Sequence, residues 1–517
     1  MATLGLEDAR RAWYDGDAET TLALCDALER DEHTATESAL LRARVYLRML
    51  RADDARVLLA PLLPHTAGEA AVEVRTLLGT AYARSGDVER GLTLLREASA
   101  SATSVQTHAE IALGIALAHY ACNDFAGAES ALDAIDASAV LAHARATELR
   151  GWIAKRRGTF DAAVSWFEAA LTELDSSQER DRFLEANVVM ALGNLAVELL
   201  DAPRWDAIER RAEHIDWEGP GMSYYGFWHR MNVSMAEEIA GRPREALQAA
   251  RSAALTAPTN AFRTFAHCRR AAVLLAYDEL LGYADLAATI REEFESIALP
   301  ALRAFEEINL AAVVVATLAQ IGDVEGTAAT LERLRSLSPA QLAVLSDEPL
   351  KRGYLAYVDG LVADANHDAF TSQHRYREAF RTFRTIGMPR RAVLAGLQLI
   401  AINGDSEAAA YVGEWSLRLP ATSWVRARIA KAHRRDADPV FAALSRAERD
   451  VLRLLYEGRS TAEIAAQRGR SAQTIRNTVS ALFKAFGVDN RGALISECRR
   501  RAIFSDGPPP ERGTAPR

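Results

Sequence analysis

Only four cysteines occur in the chain, Cys25, Cys122, Cys268 and Cys498. They lie far apart and form no C-x-x-C pair, so neither a disulfide framework nor a cysteine zinc site is expected. The 11 histidines are scattered without an H-E-x-x-H, so no metal ligand set follows either. Glycine (30) and proline (16) are scarce for 517 residues, and helices therefore meet few breakers. Only four of the 61 basic residues are lysine, which suggests a GC-rich genome and says little about mechanism. No G-x-x-x-x-G-K-[ST] occurs, nor any Gly-Lys dipeptide, which excludes switching through that type of phosphate loop. There is no alternation of strands and helices behind an amino-terminal acidic pair, so phosphoryl input is not expected. The longest apolar stretch, around residues 310–318, is too short to span a membrane. The first residues carry acids and no apolar core, so no signal peptide is expected. These absences point to a cytoplasmic protein, not membrane-bound, with no cofactor, no metal and no catalytic residue set.

What is present is ordinary for a packed protein: 49% hydrophobic and 25% charged residues. The abundance of Ala, Leu, Glu and Arg favours helix nearly everywhere. The length suits three or four domains, or one repeat array with an appendage. The formal net charge of −9 argues against nucleic acid until it is divided along the chain.

An internal repeat has a period near 36. Its clearest unit is Leu77-Leu78-Gly79-x-x-Tyr82, then Gly86-Asp87, Gly91, Leu95 and Ala98. A second copy 72 residues on has Gly151, Ala154, Gly158, Ala163, Phe167 and Ala170. A weaker copy lies between them, with Ala116, Asn123-Asp124, Ala128 and Leu132. Another has Gly241, Ala246, Ala250, Ala253 and Pro258. Gly322-Asp323 and Gly404-Asp405 separate later apolar-periodic segments. Small residues let two antiparallel helices approach, and Tyr82, Leu95 and Phe167 fill the space beside them. In the Gly-Asp pairs, Gly ends the first helix and Asp is placed to cap the second. One such hairpin cannot bury its apolar face alone, so hairpins stack into a solenoid.

These residues resemble the tetratricopeptide repeat. Leu78-Gly79-Tyr82 with Gly91-Leu95-Ala98 fits its pattern, as does Gly151 with Ala163-Phe167-Ala170. The expectation is an all-α, tetratricopeptide-like array over residues 1–425. The resemblance implies a concave groove that takes a protein, peptide or small-molecule effector. Tyr224, Tyr225 and Trp228, together with Phe227, concentrate in residues 221–231. They either line that groove or fill the core between repeats.

After Pro420 the composition changes. Residues 426–440 form a basic linker with Arg426, Arg428, Lys431, Arg434 and Arg435. A compact pattern then runs over 441–504. Ser445-x-x-Glu448 and Ser460-x-x-Glu463 are capping boxes that open two helices. Gly458 ends the first, and the second closes near Gly469. Ser471 caps a third helix with Ile475, Val479, Leu482 and Phe486 on one face, at helical spacings of 4, 3 and 4. Its other face carries Gln473, Arg476, Asn477, Ser480 and Lys484, and Gly487 ends it. A fourth helix begins at Arg491, with Leu494, Ile495 and Cys498 inward. A short helix, a tight turn and a longer helix with one polar face make a helix-turn-helix. Arg476 suits guanine and Asn477 adenine, because their side chains match those base edges bidentately. Ser471, Thr474 and Lys484 suit phosphates.

The sequence from Leu444-Ser445 through Glu463-Ile464-Ala465 and Thr474-Ile475-Arg476-Asn477 to Phe486-Gly487-Val488 and Arg491 resembles the LuxR/GerE-type DNA-binding domain. The resemblance covers about 60 residues and implies a four-helix domain on double-stranded DNA. It also implies a homodimer, with Leu494 and Cys498 on the fourth helix as the dimerisation residues. Arg468 and Arg470 depart from the family's usual aliphatic residues, and Thr478 from a frequent histidine. Residues 505–517, with three consecutive prolines, are expected to be a disordered tail.

Divided along the chain, the charge is +6 over 441–504, +3 over 426–440, zero over the tail and −18 over 1–425. The basic excess coincides with the DNA-binding pattern. The expectation is a bacterial transcription regulator, not an enzyme, whose repeat array senses an effector and controls DNA binding. The alternative is a scaffold whose helix-turn-helix docks on a protein such as RNA polymerase.

Overall fold

The computed structural model describes the chain except residues 1, 15–16, 29–33, 178–180, 278–282, 298–304, 322, 336–348, 367, 427, 430–438, 469, 501–502 and 504–517. The expected tail and most of the basic linker lie outside the described residues. So do Gly322, in one expected turn, and Gly469, where the second helix of the carboxy-terminal pattern was expected to close. Every regular element among the described residues is helical.

The helices pair as hairpins. They are α1 (Ala2–Tyr14) with α2 (Ala18–Leu28), α3 (Ala35–Arg48) with α4 (Ala52–Leu59), and α5 (Gly68–Arg84) with α6 (Val88–Ser99). Next come α7 (Val105–Ala121) with α8 (Phe125–Asp133), α9 (Val140–Arg156) with α10 (Phe160–Ser176), and α11 (Arg182–Glu198) with α12 (Ala202–Ala212). Then follow α13 (Ser223–Ala240) with α14 (Pro243–Leu255), α15 (Asn260–Ala276) with α16 (Tyr283–Glu295), and α17 (Phe305–Ile321) with α18 (Val324–Arg335). The last pairs are α19 (Pro349–Ala365) with α20 (Ala369–Thr385) and α21 (Pro389–Asn403) with α22 (Ser406–Arg418). Along most of the array each odd-numbered helix also packs on the next odd-numbered helix, so these form an inner layer and the even-numbered ones an outer layer.

The small residues act as the sequence implies. A Cβ on Gly91 would stand 2.7 Å from the Gly79 carbonyl oxygen, so α5 and α6 meet backbone to backbone. At Gly151 it would meet the Phe167 ring at 2.7 Å. The period shows in the polar contacts as well. The ion pairs Arg145–Asp181, Arg204–Glu168 and Arg211–Asp175 each join residues 36 apart in successive hairpins. Asp124 and Asp405 cap their helices through Gly127 N and Ala408 N, at 2.9 and 3.0 Å. Asp87 differs: it precedes α6 but its side chain makes no cap hydrogen bond. The left-handed residue that ends the first helix is Gly86 or Gly158 in the clear repeats. In degenerate ones it is Leu50 (φ +59°), Asn123 (φ +64°) or Leu200 (φ +57°), which explains why those turns escape a glycine search.

The array coils back on itself. Tyr225 Oη of α13 donates to the Arg48 carbonyl of α3 at 3.0 Å, five hairpins earlier. Glu198 of α11 takes Arg391 Nη2 at 2.7 Å and Arg390 Nη1 at 3.3 Å from α21, again five hairpins away. One superhelical turn therefore spans five hairpins, and its inner layer encloses a chamber.

Arg426 and Arg428 belong to the array rather than to a free linker. Arg426 donates to the Ser416 and Leu417 carbonyls, and Arg428 to Leu275 at 2.6 Å while lying over the Trp424 ring. Beyond residue 438 come α23 (Pro439–Ala443), α24 (Arg446–Tyr456), α25 (Thr461–Gln467), α26 (Ala472–Phe486) and α27 (Arg491–Arg500), around a core of their own.

Candidate effector chamber and nucleic-acid interface

The chamber has a volume of about 1990 Å3 and is walled mainly by the inner layer. Residues at the same place in consecutive repeats recur on its wall. Arg48, Arg84, Tyr120 and Arg156, spaced by 36, all line it. Among the lining residues of the array, 12 are Arg or Lys and five are Asp or Glu. The array's acid therefore lies elsewhere, and its interior has the opposite sign.

Tyr224, Tyr225 and Trp228 pack on the core and also border the chamber. Tyr225 is buried, and its hydroxyl ties α13 to α3. Tyr224 and Trp228 are half-buried on the chamber wall, edge-on to Phe262 at 5.7 and 6.0 Å. Beside them, Arg84 Nη1 donates to the Leu47 carbonyl at 2.6 Å, and Arg48 Nε stands 3.5 Å from Asp181. Asp181 also takes Arg145 at 2.8 Å and caps α11 through Leu184 N. Glu148 accepts from Trp152 Nε1 at 2.6 Å and Asn187 Nδ2 at 2.5 Å. Burial pushes the Glu148 carboxyl up to about 7, against the pull of Trp152, Arg84 and Arg48. Burial and the neighbouring Arg48 charge lower Arg84. Sequence reasoning missed Arg48, Arg84, Glu148 and Trp152. The recurrence of Arg at 48, 84 and 156 was the available signal.

A second charged cluster lies where α11, α13, α15 and α21 meet. Glu198 and Glu238 are almost wholly buried. Besides its contacts with Arg390 and Arg391, this cluster holds the buried pair Arg269–Glu238. Burial opposes charge on Glu198, but the two arginines outweigh it and keep its carboxyl below the usual range.

The carboxy-terminal helices are set by local chemistry. Both capping boxes form: Ser445 N and Ser460 N donate to Glu448 and Glu463 at 2.8 and 2.6 Å. Gly458 (φ +90°) and Gly487 (φ +67°) end α24 and α26. Ser471 caps α26 by accepting from Thr474 N at 3.1 Å. Ile475, Val479, Leu482 and Phe486 are buried against α24, α25 and α27. The opposite face exposes Gln473, Thr474, Arg476, Asn477, Ser480 and Lys484. Three of these are linked: Arg476 Nη2 donates to Gln473 Oε1 at 2.9 Å, and Gln473 Nε2 to Asn477 Oδ1 at 3.0 Å. The row is exposed and polar, and α26 carries it on the side opposite its core.

Residues 442–498 match the family model for bacterial regulatory proteins, luxR family. The carboxy-terminal domain is a luxR-family helix-turn-helix domain. No curated protein matches the chain. Solved structures similar to it include a Rap protein complexed with competence and sporulation factor, at 10% identity and TM-score 0.41, covering 73% of this chain and 99% of that one. They also include the apo form of the quorum sensor NprR from B. thuringiensis, at 12% identity and TM-score 0.32, covering 77% and 98%.

Within the luxR-family domain, the departure at Arg468 has a partner. Its Nη1 donates to Asp450 Oδ2 at 2.6 Å and ties the end of α25 to α24. Arg470 is exposed beside Ser471, and Thr478 turns back to the Thr474 carbonyl. Leu494 and Cys498 correct the dimerisation reading. Both are wholly buried in the core of the luxR-family domain, so their side chains do not face a second copy. Among the described residues, no helix is long and apolar enough to cross a membrane.

Proposed function

We propose that this chain is a DNA-binding transcription regulator whose repeat array takes an effector and controls the DNA-binding domain. The observation that carries the reading is the exposed row of α26 in a luxR-family domain. Gln473, Arg476, Asn477 and Ser480 stand where a major-groove helix presents side chains to base edges. Thr474, Ser471 and Lys484 take phosphate contacts in this reading, with Ser471 acting through the helix end that it caps. We assign residues 1–425, with Arg426 and Arg428 packed on them, to the array, the rest of 426–440 to the linker, 441–504 to DNA binding and 505–517 to a tail. The domain works as a homodimer on paired half-sites, using exposed rather than core residues of α27. The chamber is the effector site. Its occupancy changes the spacing or availability of two DNA-binding domains.

The test is selection of bound sequences from random double-stranded DNA by the full chain, followed by affinity against salt. A single enriched motif, bound more weakly as salt rises, supports the proposal. Enrichment of no sequence, with salt-insensitive retention of a protein partner after nuclease treatment, overturns it in favour of a scaffold.

A further inference from the structure

The chamber suggests the chemistry of its occupant. Residues 1–425 contain 42 basic and 60 acidic residues, yet the lining of the chamber has the reverse excess. At the end near α3 and α5 the compensation is thin. Asp181 is shared between Arg48 and Arg145, which also reaches Glu110 at 3.5 Å, whereas Arg84 is bonded to a main-chain carbonyl and makes no carboxylate ion pair among the described residues. Glu148 is the nearby acid, and its burial favours the neutral form. The adjoining wall is aromatic: the Tyr224 and Tyr225 rings lie 5.4 Å apart, and Phe262 stands edge-on to Tyr224 and Trp228. An arginine in a partly dry site gains most from an anion, and aromatic edges and faces favour a flat apolar body. At about 1990 Å3 the chamber exceeds the usual range of roughly 300–1,000 Å3 for small-ligand sites, so such a ligand fills only one end.

We propose that the end of the chamber formed by Arg48, Arg84, Tyr224, Trp228 and Phe262 binds a small organic anion with an aromatic body. This deepens the effector reading and rests on it. The anion pairs with Arg84, while the aromatic body lies against Tyr224 and Trp228.

The probe is 8-anilinonaphthalene-1-sulfonate, compared with N-phenyl-1-naphthylamine, which keeps the rings and lacks the sulfonate. Both are titrated into the native full chain without DNA and followed by fluorescence. The expected result is one saturable sulfonate site per chain, at least about tenfold tighter than for the neutral compound. Arg84→Gln should remove most of that difference while leaving the neutral compound within about twofold, in a variant whose circular dichroism and melting match the parent. Equal affinity for the two probes in the parent chain overturns the proposal and needs no variant. A sulfonate preference that survives Arg84→Gln overturns the assignment to this end of the chamber. Neither result touches the DNA reading, which the sequence selection tests separately.

Discussion

At the scale of single residues, the proposed function gives α26 two kinds of contact. Arg476, held by Gln473, presents a bidentate donor, whereas Lys484 is an exposed point charge near the helix end. Arg476→Ala should cost roughly 1–3 kcal/mol and relax preference at one base pair. Lys484→Ala should weaken all sequences alike and reduce the salt slope by about 1. Binding titrations of the selected site and its single-base variants at several salt concentrations check both. Glu148 offers a separate test. Its carboxyl is raised from the ordinary value near 4.5 to about 7. Folding therefore favours the protonated form: the stabilisation is full below about 4.5 and is lost as pH rises through 7. Glu148→Gln keeps an acceptor and cannot ionise. The stability of the parent relative to this variant should fall across that window, by on the order of 3 kcal/mol, as read by denaturant unfolding at pH 4.5, 6 and 8. A flat difference would contradict the assignment.

Hairpins and caps were legible in the sequence because they rest on local chemistry. The Gly79–Gly91 approach, the packing of Phe167 on Gly151 and both capping boxes follow from residue type and spacing. Asp87 shows the limit, since a capping residue type at the right place still makes no cap bond. Leu50 and Leu200 show another: they adopt the left-handed turn that glycine signals elsewhere, so nothing in their residue type announces it. Gly91→Ala should force α5 and α6 apart, at a cost of about 1–3 kcal/mol. Faster hydrogen exchange confined to Gly68–Arg84, Val88–Ser99 and their neighbours would report it. Leu50 is 45% exposed, so Leu50→Gly removes a strained conformation and little burial. It should stabilise that turn by roughly 1 kcal/mol, seen as slower local exchange.

At the scale of the whole molecule, superhelical closure makes the chamber, and it was not legible. The meeting of Glu198 with Arg390 and Arg391 joins residues 192 and 193 positions apart, which no period of 36 displays. The same coiling sends the recurring arginines inward and leaves the array's acid elsewhere, a partition that a summed charge hides. The assignment of Leu494 and Cys498 to dimerisation came from the resemblance alone and meets the packed core of the domain. Their helical spacing already read both as inward, and the core of the domain holds both there. Glu198→Gln should leave two arginines short of charge compensation at the closure. The superhelix should loosen, with a larger radius of gyration in small-angle scattering and unchanged helix content. An unchanged radius would show that apolar packing alone holds the turn. Whether α26 reads DNA is decided by one comparison. The full chain and its Arg476→Ala variant are titrated with the selected site and with a scrambled duplex at matched salt. The parent should prefer the selected site by at least about a thousandfold, and in the variant that preference should fall by roughly 5- to 150-fold while affinity for the scrambled duplex is kept. Equal affinity of the parent for both duplexes, or a preference untouched by Arg476→Ala, would contradict DNA reading by α26.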